Sequence, residues 1–381
     1  MNKALINANV LTPEGFKDQQ SVLFDQGRIT RICDDAQCPK TATIERNLEG
    51  LMLLPGFIDV QVNGGGGILF NDNPGIDSIK TIGNAHRAFG TTGFLPTLIS
   101  DNPNVMSAAI AAVDDAIAQG VPGVLGIHLE GPFLNEKRRG VHDASKFRKI
   151  GEEQVRLLSS LKRGKTLVTL APEMTTPEII KALRDKGVIV SAGHTEASYA
   201  ETLTALDAGL TGFTHLFNAM TPLESRHPGV IAAALEDPRA WCSIIADGHH
   251  VHPAVLRLAL RAKIGDQVFL VTDAMPSVGA EDKQFSLGNI KITVADGKCL
   301  TQAGTLAGSD LDMIRAVRYA RDMLGVSFQQ AVRMASTLPA QFLGLGHQVG
   351  EIKVGQQADF IVVNEKLEIK ESWINGRSHT V

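Results

Sequence analysis

The sequence predicts an α/β fold in which a closed (β/α)8 barrel, the TIM-barrel architecture, carries a small β-sandwich domain built from both chain termini. Three observations support this prediction. The middle of the chain alternates eight short apolar strands with longer segments, most of them helical in pattern, and β-type runs occupy both ends. No G-x-G-x-x-G pattern indicates an open dinucleotide-binding sheet. With 381 residues, 44% of them hydrophobic, the chain can bury the core that such a fold needs.

The two ends of the chain have strand-like patterns. Residues 4–10 and 21–25 are predicted strands, and a turn at Gln26-Gly27 leads into 28–33. Residues 359–363 and 367–374 are similar, and Asn375-Gly376 is a strong hairpin signal. Neither end is long enough for independent stability, so we expect the two to pair. The sequence thus predicts a small domain of residues 1–53 and 348–381 around a catalytic barrel of residues 54–347.

The barrel prediction depends on eight apolar segments that follow one another with intervening helical patterns. Residues 176–187 show such a helix, because Thr176 is a good N-cap, Pro177 suits the first helical position and Gly187 suits the stop. The glycine run 64–67 is predicted to be a tight loop at the barrel mouth rather than a nucleotide motif. The predicted strands are residues 57–60, 94–97, 124–129, 166–170, 188–191, 212–215, 242–245 and 268–271.

Composition and charge exclude several classes of function. The net charge of -4 and the mixed distribution of charges give no basic stripe for nucleic acid, so an anionic ligand must meet a local site. Residues 1–8 lack a signal-peptide pattern, and no apolar run is long enough to span a membrane. The cysteines lack paired C-x-x-C spacing and are expected to be reduced thiols of a cytoplasmic protein: Cys33, Cys38, Cys242 and Cys299.

Four predicted strands end in residues that can carry chemistry. Glu130 follows the third strand, His194 the fifth and Asp273 the eighth, and His215 is the last residue of the sixth. Each alone could be a packing histidine or a helix-capping acid. Barrel enzymes, however, assemble their sites at the C-terminal ends of the strands, so the joint pattern predicts that the four meet. Two imidazoles and one carboxylate form the ligand set of a catalytic divalent metal with an open position.

Asp273 has a different predicted role from Glu130. A metal in such a site lowers the pKa of its bound water to about 7 and polarises a carbonyl group. Asp273 would act as the general base toward that water and then protonate a leaving nitrogen. Glu130 is therefore predicted to be a ligand, and Asp273 the proton carrier.

Several motifs around these residues resemble a known family. The chain is similar, over nearly its whole length, to the amidohydrolase superfamily and more closely to the N-acetylglucosamine-6-phosphate deacetylases. The resemblance implies a barrel with a small β-sandwich, Glu130, His194 and His215 on the metal, and Asp273 in catalysis. It implies hydrolysis of the substrate to glucosamine 6-phosphate and acetate in amino-sugar catabolism, without an organic cofactor. The matching segments are PGFIDVQVNG (55–64), HLEGPF (128–133), LAPE (170–173), SAGH (191–194), THLFNAM (214–220), IADG (245–248) and TDA (272–274).

The first predicted strand departs from the superfamily pattern. It is followed by Gln61-Val62-Asn63, where the superfamily usually has His-x-His. Amide groups are poor ligands beside imidazole for a borderline metal. We therefore expect one divalent metal per subunit, Zn²⁺ in the first place, with Fe²⁺, Co²⁺ and Mn²⁺ as alternatives. Gln61 and Asn63 are placed among the substrate-binding residues.

The phosphate of such a substrate needs donors, and the loops after the sixth and seventh strands offer several. Arginine suits phosphate because its planar fork donates two hydrogen bonds. The resemblance places Arg226 and His250 at the phosphate and implies that they reach it from the neighbouring subunit of a homodimer. It places His142 near the acetyl carbonyl. The other residues expected to bind substrate are Val141, Asn218, Ala219, His249, Leu306, Ala307 and Gly308.

Other functions remain open at this point. A deacetylase for the galactosamine epimer is one, because the metal centre does not read the C4 hydroxyl of the sugar. A cyclic amidohydrolase or nucleobase deaminase would more naturally keep His-x-His on the first strand. A catalytically inactive barrel that serves as a scaffold would have lost further ligands, yet all four residues are present. The cluster His249, His250 and His252 could alternatively suggest a second metal.

Overall fold

The computed structural model describes residues 2–380, and the two chain ends share one eight-stranded sheet. Met52–Pro55 pairs antiparallel with Phe360–Val363, so the expected pairing of the ends is confirmed. Phe24 packs edge-on against Phe360 and Trp373 in the core of this sheet. The exact domain bounds, 1–53 with 348–381 and 54–347, stay a prediction. The strands are Lys3–Thr12, Gly15–Asp25, Arg28–Asp34, Thr43–Asn47, Met52–Pro55, Phe360–Val363, Ile369–Ile374 and Arg377–Thr380.

The centre of the chain forms a parallel eight-stranded barrel in which neighbouring strands follow chain order. Backbone hydrogen bonds join the first strand to the segment after the last: Asp273 N–H donates to Gln61 O (3.0 Å) and Asn63 N–H donates to Ala274 O (2.9 Å). The (β/α)8 barrel with its small terminal domain is therefore confirmed. The eight barrel strands, first to eighth, are Phe57–Val62, Thr91–Ile99, Gly126–Glu130, Lys165–Leu170, Ile189–Ala192, Gly212–Phe213, Trp241–Ile245 and Val268–Val271.

The helices cover the barrel with amphipathic faces. The helix expected over 176–187 spans Pro177–Asp185 and buries Ile180 and Leu183, while Gly187 follows it with a left-handed φ of +82°. Within residues 2–380, every helix is too short or too polar to cross a bilayer. The helices are Ile76–Arg87, Pro103–Ala118, Glu152–Leu158, Pro177–Asp185, Tyr199–Ala208, Gly229–Glu236, Pro253–Ala262, Met313–Leu324, Phe328–Ala335 and Thr337–Phe342.

A four-stranded antiparallel sheet is inserted after the eighth barrel strand. It was not predicted from the sequence. It consists of Gln284–Leu287, Ile290–Ala295, Lys298–Thr301 and Leu306–Ser309. Its last strand is tied to the barrel rim, because Ser309 N–H donates to Asp273 O (2.9 Å) and Met275 N–H donates to Ser309 O (3.0 Å). The insertion therefore forms one side of the mouth above Asp273.

The glycine run after the first barrel strand forms a tight hairpin of Gly64–Gly65 and Ile68–Leu69. A Cβ atom on Gly64 would lie 2.4 Å from Ile68 O, and one on Gly65 would lie 2.9 Å from His86 Cδ2. His86 Nε2 lies 2.9 Å from Gly64 O. Side chains at these glycines would not fit, which agrees with the predicted tight loop at the barrel mouth.

Candidate active site

Three side chains from the C-terminal ends of different barrel strands converge on one small volume. Glu130 Oε1 lies 3.0 Å from His215 Nε2 and 3.3 Å from His194 Nε2, and the two imidazole nitrogens are 3.1 Å apart. All three side chains are buried. Tetrahedral ligands about 2.0–2.1 Å from a zinc ion lie about 3.3 Å from one another, so these atoms fit one divalent cation and leave a fourth position open.

Neighbouring groups fix the tautomer of His194, and the local backbone sets the direction of the site residues. His194 Nδ1 lies 2.8 Å from the backbone oxygen of Arg138, which can only accept, so Nδ1 carries the proton and Nε2 keeps its lone pair. His194 and His215 have left-handed φ values of +50° and +36°, and Asp273 has +54°. Residues other than glycine rarely adopt this backbone conformation, and backbone strain of this kind is concentrated at functional sites. The turns direct these side chains into the barrel mouth.

Glu130, His194 and His215, here called the trio, interact electrostatically in a way that favours an ionised Glu130. Burial alone would raise the pKa of Glu130, but hydrogen bonds and charge from His194 and His215 lower it well below its usual range. Burial would lower the pKa of His215, yet the hydrogen bond and charge of Glu130 outweigh it and raise it. The site therefore presents a buried anion between two imidazoles, which is an environment that attracts a cation.

Asp273 lies beside the trio and has its own hydrogen-bond partners. Its Oδ1 accepts from Asn63 Nδ2 (2.7 Å) and from Gln61 Nε2 (3.1 Å), and Gln61 Nε2 also donates to Glu130 Oε1 (3.1 Å). Burial and the charge of Glu130 raise the pKa of Asp273 to about 6. A carboxyl group with a pKa near neutrality can both take and return a proton, which agrees with the role expected of Asp273.

His142 faces the metal-binding trio from the loop after the third barrel strand. Its ring packs edge-on against that of His194, with centroids 4.4 Å apart. The backbone N–H of Ser100 donates to His142 Nδ1 (3.4 Å), and the Ser100 hydroxyl lies 2.7 Å from the same nitrogen. Burial, followed by the neighbouring His194, lowers the pKa of His142 to about 3. His142 is therefore neutral, with its proton on Nε2, and can donate one hydrogen bond.

A cavity of about 310 Å³ opens above these groups and collects most of the residues expected from the sequence. Gln61 and Ala307 lie just behind its wall. Among the described residues, Arg226 and His249 are not part of the wall, and Arg226 is exposed on its loop. The expected residues that line the cavity are Asn63, Glu130, Val141, His142, His194, His215, Asn218, Ala219, His250, Asp273, Leu306 and Gly308.

Two positively charged side chains at the cavity, Lys137 and Arg138, were not predicted from the sequence. Lys137 and Arg138 line it from the loop after the third strand, and both approach Glu196, at 3.1 and 3.4 Å. The basic run Lys137-Arg138-Arg139 follows Glu130 closely in the sequence, and it could have predicted positive charge at the site for an anionic substrate. His250 also lines the cavity, and its Nδ1 pairs with Asp247 Oδ2 at 2.6 Å.

Glu173 supports the site from the loop after the fourth barrel strand. Its Oε1 accepts from Asn135 Nδ2 (2.9 Å) and from the backbone N–H of Glu196 (2.6 Å), and its Oε2 accepts from the Thr195 hydroxyl. Asn135 N–H in turn donates to the backbone oxygen of His194 (3.0 Å). Glu173 thus fixes the turn that carries His194.

Comparison with known proteins agrees with this geometry. The Amidohydrolase family model matches residues 52–378. The N-acetylgalactosamine-6-phosphate deacetylase of Shewanella sp. (strain ANA-3) is 45% identical, with 93% of each chain covered. The N-acetylglucosamine-6-phosphate deacetylase of Vibrio furnissii is 37% identical, covering 85% of this chain and 82% of that one. The crystal structure of N-acetylglucosamine-6-phosphate deacetylase from Pasteurella multocida superposes with a TM-score of 0.96 at 32% identity over 100% of both chains. This chain belongs to the amidohydrolase family.

Proposed function

We propose that this protein hydrolyses the acetamido group of N-acetylglucosamine 6-phosphate to give glucosamine 6-phosphate and acetate. The observation that carries the proposal is the convergence of Glu130, His194, His215 and Asp273 on one buried cavity. Relatives named for this activity support it, and so does a similar Mycobacterium smegmatis structure of 31% identity and TM-score 0.91, determined in complex with N-acetyl-D-glucosamine-6-phosphate.

The residues around the cavity have distinct parts in the proposed reaction. One divalent cation per subunit, Zn²⁺ in the first place, would be held by Glu130, His194 and His215 and would supply Lewis-acid activation of water and of the amide carbonyl. Asp273 takes a proton from the attacking water through Oδ2, because both amide donors bind Oδ1. It then delivers that proton to the amide nitrogen as the C–N bond breaks. His142 Nε2–H donates to the carbonyl oxygen as its negative charge develops.

The contacts to sugar and phosphate are also part of the proposal. The cavity-lining residues Val141, Asn218, Ala219, Leu306 and Gly308, together with Ala307 behind them, would bind the sugar. Arg226, His249 and His250 would serve the phosphate. The exposed position of Arg226 outside the cavity of its own chain supports a homodimer in which Arg226 reaches the neighbouring subunit's phosphate. His250, expected from the resemblance to do the same, instead lines the cavity of its own chain and would bind the phosphate there. Four free cysteines support a reducing, cytoplasmic location.

N-acetylgalactosamine 6-phosphate is the second candidate substrate. The 45% identical Shewanella relative is named for that activity, whereas the Vibrio relative named for the gluco epimer is 37% identical. The two sugars differ only at C4, while the catalytic groups proposed above act on the acetamide at C2. We expect activity on both epimers.

Acetate release tests the proposal directly. The substrates are N-acetylglucosamine 6-phosphate, its galacto epimer and unphosphorylated N-acetylglucosamine, each supplied to as-purified protein, to protein stripped by a chelator and to stripped protein resupplied with Zn²⁺. We expect cleavage of the phosphorylated sugars, loss on stripping and recovery with Zn²⁺. The proposal would be overturned if none of the three sugars is cleaved. It would also be overturned if protein shown by elemental analysis to be free of metal keeps full activity.

A further inference from the structure

The amide side chains of Gln61 and Asn63 are both deeply buried, at 1% and 2% exposure, yet each has one oxygen without a hydrogen-bond partner in the described chain. Gln61 Nε2 donates to Glu130 and Asp273, and Asn63 Nδ2 donates to Asp273. The two residues differ in position, because Asn63 lines the cavity and Gln61 does not. A buried acceptor without a donor is costly, so the free Oδ1 of Asn63 marks a place where a ligand donor fits.

We infer that Asn63 is a catalytic residue whose Oδ1 accepts the hydrogen bond of the substrate's acetamido N–H. The inference rests on the proposed deacetylation. Asn63 Nδ2 is bonded to Asp273 Oδ1, so the Oδ1 of the same amide group lies close to the carboxyl group that must protonate the substrate nitrogen. A substrate nitrogen that receives a proton from Asp273 would therefore lie next to the side chain of Asn63.

The chemistry of amide cleavage requires such an acceptor. The water oxygen forms a bond to the acetyl carbon, and the C–N bond then breaks as the proton from Asp273 Oδ2 goes to nitrogen, giving an amine and acetate. The nitrogen keeps its original hydrogen throughout. By binding that hydrogen, Asn63 turns the developing lone pair of the nitrogen toward Asp273, which aligns the proton transfer.

Gln61 has a different part and serves as a matched control. Its Nε2 bridges Glu130 and Asp273, so it is a positioning residue for both carboxylates. Its free Oε1 belongs to a residue outside the cavity lining. Removal of Gln61 should therefore impair every reaction that uses Asp273 as a base, whereas removal of Asn63 should impair amides most.

A pair of substrates separates these roles. N-acetylglucosamine 6-phosphate carries the N–H, while the analogue with an acetyl ester at C2, 2-O-acetylglucose 6-phosphate, lacks it but needs the same attack on a carbonyl. In Asn63→Ala we expect kcat for the amide to fall about 10- to 100-fold further than kcat for the ester, the effect of one lost hydrogen bond in the transition state, with little change in KM. Gln61→Ala displaces Asp273 without removing an acceptor for the N–H, so its ratio of amide loss to ester loss is the reference, and the ratio in Asn63→Ala should be about 10- to 100-fold larger.

The outcomes are decisive in either direction. Metal content, measured on each variant, should stay at the wild-type level, so that a difference between substrates cannot come from metal loss. A ratio of amide loss to ester loss in Asn63→Ala no larger than that in Gln61→Ala, or no loss on either substrate, would overturn the inference. If that variant does not fold, Asn63→Leu, which is close in shape to asparagine and has no acceptor, provides the same comparison. Failure of the proposed function is distinguished by the wild type, which would then cleave no amide substrate.

Discussion

Asp273→Asn separates the proton carrier from the metal ligands. The substitution keeps the size of the side chain, and its Oδ1 can still accept from Asn63 Nδ2 and Gln61 Nε2. The amide nitrogen then occupies the position of Oδ2, where it cannot take a proton from water. General acid–base catalysis contributes about 10²- to 10⁴-fold, and we expect kcat to fall by that factor. The ligand atoms of Glu130, His194 and His215 are unchanged, so metal should be retained.

The assay is acetate release combined with elemental analysis of the same preparation. Asp72→Asn is a suitable control, because it makes the same chemical change at an exposed carboxylate that lies outside the cavity lining. Its kcat should stay within a few-fold of the wild type. Near-normal turnover in Asp273→Asn would refute the role of Asp273 in proton transfer. Loss of metal would show instead that Asp273 belongs to the ligand set.

Three further predictions follow from the same structure. Glu173→Ala should weaken metal affinity about 10- to 100-fold, as measured by competition with a chelator, because it releases the turn that carries His194; unchanged affinity would contradict this role. Below about pH 6, kcat/KM should fall about tenfold per pH unit as Asp273 becomes protonated and can no longer accept, with metal content followed at each pH to exclude ligand loss. Phe24→Ala should lower the free energy of unfolding by about 3–5 kcal/mol in denaturant titration, because Phe24 is buried between Phe360 and Trp373; a loss below about 1 kcal/mol would mean that this core repacks.

The barrel could be predicted because its strands are buried on both faces and therefore form short continuous apolar runs. The meeting of Glu130 with His194 and His215 followed from topology, since all strands of such a barrel end at one rim. The inserted sheet of residues 284–309 was missed because its strands are short and only partly buried. Asp296-Gly297, a hairpin turn between two of them, was the signal that could have located it.

Sequence reasoning also identified Gln61 and Asn63 as unusual but could not assign their contacts. The direction of an amide side chain depends on which atoms face it from other strands, and a strand pattern does not contain that information. Here the partners of Gln61 lie 69 and 212 positions away along the chain.

The amide pair explains how the cavity can contain two carboxylates with one proposed cation. Glu130 and Asp273 are both buried, and the charge of Glu130 disfavours ionisation of Asp273. Where a second cation would offset that repulsion, this chain places the N–H groups of Gln61 and Asn63 instead. Neutral donors stabilise the carboxylates less than a metal ion would. Asp273 is therefore left with a pKa near neutrality, and this is the condition under which one carboxyl group can take a proton from water and return it to nitrogen.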